Sequence, residues 1–441
     1  MEINIIQLGA KGDGKTFNTE IIQRAIDECH EKGGGKVIIP QGTYLCKPLK
    51  LKSNVTIYLE EGAVLKATTN INDYYHIGYH HNEWKEVTSF LYAMNEKNIS
   101  IEGKGTIDLS GKHFMDFTRT HNEFEELKFL DKEQFEETEC KTKPRPNQPI
   151  FFYNCENLYI NGISITDSPC WTICVHSSTD IKIDSIRIFN HLRVPNSDGV
   201  HLCSCNRAFI KNSTFICGDD CIAITGITNW EKTSENIVIC DCILESRSSG
   251  IRIGHLDSKV RNVIISNLII SNSNRGVGIF ADGNNGYVES VFISNLIVRT
   301  KIFAGTWWGK GEPLVILAPK SGNKIRDISI RDIRAYAENG ILIYGERNNI
   351  EDILLKDIDI RLNFGKNRIL FGKELDLSPN PKVAYPDYEK KIPWIIAKDV
   401  LSLNIQNVTY SLNREYDKEL DINGIFERIE KLSLININKI I

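Results

Sequence analysis

Three aspartates draw attention by type and spacing: Asp198 in the stretch NSDGVHL, and the adjacent pair Asp219 and Asp220 in CGDDCIAI. Carboxylates crowded together push one pKa up, so one stays protonated while another is ionised. That pairing is what hydrolysis of a glycosidic bond requires. One carboxylic acid protonates the leaving oxygen and another carboxylate activates water. A structural aspartate ladder or a cation site is the alternative reading of the same residues.

The aspartates must be brought together by the elements around them, and these repeat. One pattern recurs: apolar, any, apolar, two mostly polar or small residues, apolar, any, apolar. Copies are LYINGISI from Leu158, IKIDSIRI from Ile181, AFIKNSTF from Ala208, IVICDCIL from Ile237 and VIISNLII from Val263. VFISNLIV from Val291, ISIRDIRA from Ile328, ILLKDIDI from Ile353 and LNIQNVTY from Leu403 follow. Period-2 alternation within each half predicts two short strands joined by a tight corner, and helical spacing is absent. Asn at the corner suits a turn with unusual backbone angles. A unit this short cannot bury its own apolar face, so neighbours must stack. The expected fold is all-β: a single-stranded, right-handed parallel β-helix with an N-terminal helical cap, forming one domain over residues 1–441. The cap and first coil occupy residues 1–50. In the cap, Asn18 is the candidate N-cap, and Ile21, Ile22, Ala25 and Ile26 fall at helical spacing before a glycine run. Non-repetitive stretches at 111–149 and 365–393 read as insertions.

A third strand precedes each repeat, and its inward residues register the coils: Ile173, Val200, Ile222, Ile251, Val277, Leu314 and Ile341. Two positions earlier, the column reads Trp171, Asp198, Asp220, Ser249, Arg275, Glu312 and Asn339. Asp198 and Asp220 therefore stack on consecutive coils, about 4.8 Å apart. The position between, occupied by Thr172, Gly199, Cys221, Gly250, Gly276, Pro313 and Gly340, is expected to open a groove that a polymer could follow.

Composition narrows the partners. A net charge of −4 without a basic stripe argues against nucleic acid, and no apolar run reaches the length of a membrane span. The N-terminus has no basic segment leading into an apolar one, so a cytoplasmic location is expected, although a mature form without its signal would read the same. The twelve cysteines form no CxxC-type knuckle with suitable partners. They read as small buried side chains, and neither a metal nor another cofactor is expected.

The two aspartate motifs resemble the N-T/S-D and G-D-D motifs of glycoside hydrolase family 28, the polygalacturonase family, built on a right-handed parallel β-helix. The N-terminal GAKGDGKTFNTEIIQRAID and GGGKVIIPQGTYL look like the opening of the wider pectate-lyase-like superfamily. The resemblance implies that Asp219 is the general acid, that Asp198 and Asp220 hold and activate water, and that Asn196 lies at the site. It implies inversion at the anomeric carbon. Two family motifs are altered. The histidine of G-H-G is replaced by Ser249, leaving His201 and His255 as nearby candidates, and R-I-K aligns with GIF from Gly278. Arg247, Arg252 or Arg275 could supply the missing cation, since guanidinium binds carboxylate bidentately. Otherwise the sugar at the cleavage point is not acidic.

The stretch TWWGKGEP carries sugar-binding residue types. Either it forms a loop over the groove, with Trp307 or Trp308 stacking on a pyranose and Lys310 or Glu312 binding hydroxyls, or its indoles pack it down. A closing loop favours action from a chain end. The expected function is a glycoside hydrolase acting on a pectin-type or related plant cell-wall oligosaccharide or polysaccharide. The rivals are a polysaccharide lyase using a bound Ca²⁺ and an Arg or Lys base, and a non-catalytic carbohydrate-binding solenoid.

Overall fold

The stacking demanded by the short repeats is realised in three parallel ladders that run the length of the molecule and belong to one 31-stranded sheet. The computed structural model describes the whole chain except residues 81–83, 85, 122–127, 227–231, 386, 414–419 and 441. One coil shows the plan: strands Ile173–His176, Thr179–Asp184 and Arg187–Phe189 pair in parallel with Val200–Cys203, Asn206–Lys211 and Thr214–Cys217 of the next. From Ser234–Ser246 onward the second and third strands run as one long element, as in Lys259–Ser273. The corner persists as a single residue with positive φ. Asn212, Asn267, Asn295 and Asn407 all adopt it, with φ between 52° and 59°. Asn is among the few residues that tolerate this conformation. Stacked corners also bond to each other: Asn295 Nδ2 donates to Asn267 Oδ1 (2.8 Å), and Asn267 Nδ2 to Asp241 Oδ1 (3.0 Å).

The seven register residues from Ile173 to Ile341 all point into the core and are at most 1% exposed. The pairings Val200–Ile222, Ile222–Ile251, Ser249–Arg275 and Arg275–Glu312 are those required by the column read from the sequence. The small residues beside that column do something other than open a groove. A Cβ on Gly250 would meet Ile270 Cγ2 at 2.7 Å, and one on Gly276 would strike the Pro313 carbonyl. Cys221 is wholly buried in the core. These residues face inward, and at the glycine positions neighbouring coils approach too closely for a side chain.

Helix Thr19–Glu31 closes the N-terminal end, burying Ile22, Ala25, Ile26 and Cys29. Asn18 occupies the N-cap position, but its side chain does not cap the helix; it bonds instead to the backbone of Lys11 and Thr16. All twelve cysteines are free and eleven are buried. Burial raises several of these thiols, Cys205 to about 12, as expected of inert packing groups.

Two segments leave the solenoid. Between 111 and 149 lie the antiparallel strands Met115–Thr120 and Cys140–Thr142 and the helical turn Lys132–Phe135, with 122–127 outside the described residues. Between 365 and 393 lie the helical turn Arg368–Phe371 and the antiparallel strands Glu374–Leu375 and Val383–Ala384.

The inward row gives a direct test. Gly276→Ala places a methyl group against a backbone carbonyl that cannot yield. It should cost about 1–3 kcal/mol in urea unfolding, whereas a groove-lining glycine would tolerate the change.

Candidate active site

Asp198 and Asp219 sit on loops that enter the first ladder, and a short chain of bonds ties those loops together. Ser197 Oγ donates to Val194 O (2.8 Å) and accepts from Gly218 N (3.0 Å). A side chain on Gly218 would strike the Val194 carbonyl, which explains a glycine directly before the aspartate pair. Asn190 Nδ2 bonds Thr172 Oγ1 (2.8 Å) and Ser197 O (3.0 Å), fixing the approach to Asp198. Arg145 holds the neighbouring turn through Pro195 O (2.7 Å) and Asn196 Oδ1 (3.0 Å).

The three aspartates line one cavity of about 390 Å³. Each is held differently. Asp219 Oδ1 accepts from Asp220 N (2.9 Å) and Oδ2 from Asn196 N (3.2 Å), with the Ser248 hydroxyl as a further donor. Its carboxyl is enclosed by protein apart from the face it shows to the cavity. Burial and then the Asp220 charge raise its pKa to about 7, outweighing the lowering by Arg252 and these hydrogen bonds. Asp220 Oδ1 accepts from Ser249 N (3.0 Å), and Oδ2 lies 2.5 Å from Arg252 Nε. Arg252 Nη2 also lies 3.7 Å from Asp198 Oδ2, which has His201 Nδ1 at 3.6 Å on its other side. One guanidinium thus bridges two carboxylates on consecutive coils.

His255 and Trp308 face the same cavity, their rings 5.6 Å apart, and His255 Nδ1 lies 3.5 Å from Asp282 Oδ2. His201 stands behind Asp198, fully buried, with its ring centroid 4.0 Å from that of Trp171 and Nε2 3.1 Å from Thr225 Oγ1. Of the two candidate histidines, therefore, only His255 lines the cavity. Ser249 contributes its backbone N–H and does not line it; Ser248, which the sequence reading passed over, does.

Beyond Ser249 the polar column runs under a wall. Arg275 lies 3.8 Å from Glu312 and 3.9 Å from Asp376, both buried. Lys310 N donates to Glu312 Oε2 (2.6 Å), and Gly309 N to Asp376 Oδ2 (2.7 Å). Arg275, Lys310 and Glu312 were expected to contact substrate. They instead form a buried ionic cluster that anchors the loop carrying the two tryptophans. Trp307 lines the cavity but is packed down, its Nε1 donating to Glu137 O (2.8 Å). Glu139 accepts from Thr306 N (3.1 Å) and Thr306 Oγ1 (2.6 Å). Asn367 bonds both Glu137 Oε2 (2.7 Å) and Ile302 O (2.8 Å). Both inserted segments and the tryptophan loop are thereby locked together, and the groove becomes a pocket closed on that side. His121, Glu139 and Thr306 join the lining. They lie in non-repeating sequence, where periodicity gives no register. Arg247 faces a different cavity and makes a cation–π contact with Phe303 at 4.0 Å. Among the described residues, no group of three or more His, Cys, Asp or Glu is placed to hold a metal ion.

The sequence pattern of glycosyl hydrolases family 28 matches residues 29–370. A probable polygalacturonase of Vitis vinifera is 26% identical over 327 residues, which cover 70% of this chain and 62% of the relative. An exo-poly-alpha-D-galacturonosidase of Dickeya chrysanthemi is 27% identical over 311 residues, covering 62% of this chain and 51% of the relative. The chain thus spans about half to three fifths of the length of these relatives. Among solved structures, a hyperthermoactive exopolygalacturonase from Thermotoga maritima superposes with a TM-score of 0.67 at 24% identity, over 82% of this chain and 87% of that one. At that identity the superposition bears on the fold, which it shares.

The Asp219 environment predicts a titration. Its carboxyl should titrate near 7 in a ¹³C carboxyl NMR experiment. Asp220→Asn removes the charge that raises it and leaves Arg252, which lowers it, so the midpoint should fall. A midpoint unmoved by Asp220→Asn would contradict the assigned cause.

Proposed function

This chain belongs to the glycosyl hydrolases family 28, and on that premise we propose that it hydrolyses glycosidic bonds of a pectin-type polysaccharide or oligosaccharide, from a chain end and with inversion. The observation that carries the reading is the contrast among three aspartates in one cavity. Asp219 holds its proton up to a pKa of about 7, while Asp198 and Asp220 share the Arg252 charge. Asp219 gives its proton to the glycosidic oxygen as the bond from the anomeric carbon to that oxygen breaks. Water attacks the same carbon from the opposite face and loses its proton to the Asp198–Asp220 pair. Arg252 touches both carboxylates and fixes their orientation in the cavity. The reaction ends with the acid deprotonated and the pair protonated, and exchange with solvent resets both.

The wall of Thr306, Trp307 and Trp308 supports attack at an end, because the column beyond Ser249 is covered and leaves a polymer no path along it. A relative named for exo-action supports the same reading. A lyase would need an arginine or lysine able to take a proton. The cavity's arginine is engaged with Asp220 and Asp198, which favours hydrolysis.

Asp219→Asn should lower kcat by about 10²–10⁴-fold, with KM little changed. The wild-type rate should fall as pH rises through about 7, where the acid loses its proton. ¹H NMR of the first product from an oligogalacturonide should show the inverted anomer, and retention would sink the two-carboxylate assignment. Early products should be the terminal sugar and a chain shortened by one unit. A spread of internal fragments would exclude end attack, and a product absorbing in the near ultraviolet would indicate a lyase.

A further inference from the structure

A second cavity, of about 730 Å³, lies on the outer side of the loops that carry Asp198 and Asp219. It shares no lining residue with the first, although the two are back to back: Arg247 lines the outer one and Ser248 the inner. Lys112, Arg193 and Arg247 converge on it around His191, whose protonation is disfavoured by burial and by each of those cations.

The charges in this cavity are unevenly satisfied. Arg193 lies 3.4 Å from Glu136 and donates to Thr138 O (2.9 Å) and Phe117 O (3.1 Å). Asp108 lies 3.1 Å from Lys66, and Asp167 accepts from Lys112 N (3.0 Å), with burial raising its pKa. Arg193 Nη2 is nevertheless left without a partner among the described residues, and Arg247 is the least satisfied. It is only 8% exposed, yet its Nε and Nη1 meet no hydrogen-bond acceptor among the described residues. Its guanidinium lies over the Phe303 ring, and the charges of Glu137 and Glu245 act on it. Buried guanidinium nitrogens without an acceptor are costly, and a carboxylate is the group that pairs with a guanidinium best. At the rim, Phe189 is 40% exposed and offers an apolar aromatic face of pyranose size.

We propose that this outer cavity binds an acidic saccharide, with a uronate carboxylate on Arg247, the sugar ring against Phe189, and Lys112 at the entrance. The choice of a uronate among carboxylates rests on the pectin-type reading of the inner pocket. A polymer held here keeps its remaining length beside that pocket, raising the local concentration of chain ends.

Isothermal titration calorimetry on the full chain tests this, in an Asp219→Asn background so that ligand is not consumed. Trigalacturonate should occupy two classes of site, and adding Arg247→Met should abolish one or weaken it at least tenfold. Phe189→Ala, a surface change, should weaken trigalacturonate but not inorganic sulfate, and galactotriose should bind without dependence on Arg247. The proposal fails if the Arg247→Met titration superimposes on its parent. It fails if galactotriose shows the same Arg247 dependence, or if sulfate binds as tightly as trigalacturonate. Should Arg247→Met not fold, an unchanged trigalacturonate affinity in Phe189→Ala overturns it. Turnover is measured separately on the wild type. Its absence would refute the inner-pocket reading while the titrations still decide the outer site.

Discussion

Stacked coils place equivalent residues about 4.8 Å apart, and at that spacing Asp198 and Asp220 repel each other strongly once both are buried. Arg252, one coil further on, makes the arrangement tenable by reaching back to both. Its reach is built into the ladder. His201, Ala223 and Arg252 occupy equivalent positions on three successive strands, and the small side chain between the other two leaves room for guanidinium and imidazole to meet the carboxylates. Loss of the cation would remove the charge that lowers Asp219. Asp219, buried and beside Asp220, has its pKa raised to about 7 despite that cation.

Much of this was legible in the sequence because a solenoid turns sequence intervals into spatial neighbours. Once Val200, Ile222 and Ile251 were aligned as core residues, the adjacency of Asp198 and Asp220 followed, and the strand pairings agree residue by residue. The corner asparagines were legible for the same reason. The direction of the small-residue row was not. Alternation says which residues share a face, but only the approach of Ile270 to Gly250 reveals that this row turns inward.

The walls of the pocket were beyond periodic reasoning. Glu139 meets Thr306 across 167 residues, and Gln134 meets Asn367 across 233 (Nε2 to Oδ1, 2.9 Å). Neither contact joins residues in a common register. For TWWGKGEP the pattern therefore leaves two readings open, sugar ligands or a packed-down loop, and the structure favours the second for Lys310 and Glu312, which are spent on Asp376, Arg275 and the backbone. Arg252 does line the cavity, and its contacts with Asp198 and Asp220 were not legible from residue type alone.

The lock between the inserted segments and the tryptophan loop also imposes an order of events on the proposed reaction. A sugar released in a pocket closed on one side lies behind the chain it came from. It can leave only when that chain withdraws, so each cut would end in dissociation. Sliding along the polymer would need an exit at the far end, and Glu139, Trp307 and the buried cluster at Arg275 occupy that space. Catalysis would then proceed as a series of independent encounters, with the rate at low substrate governed by how often a free end finds the pocket.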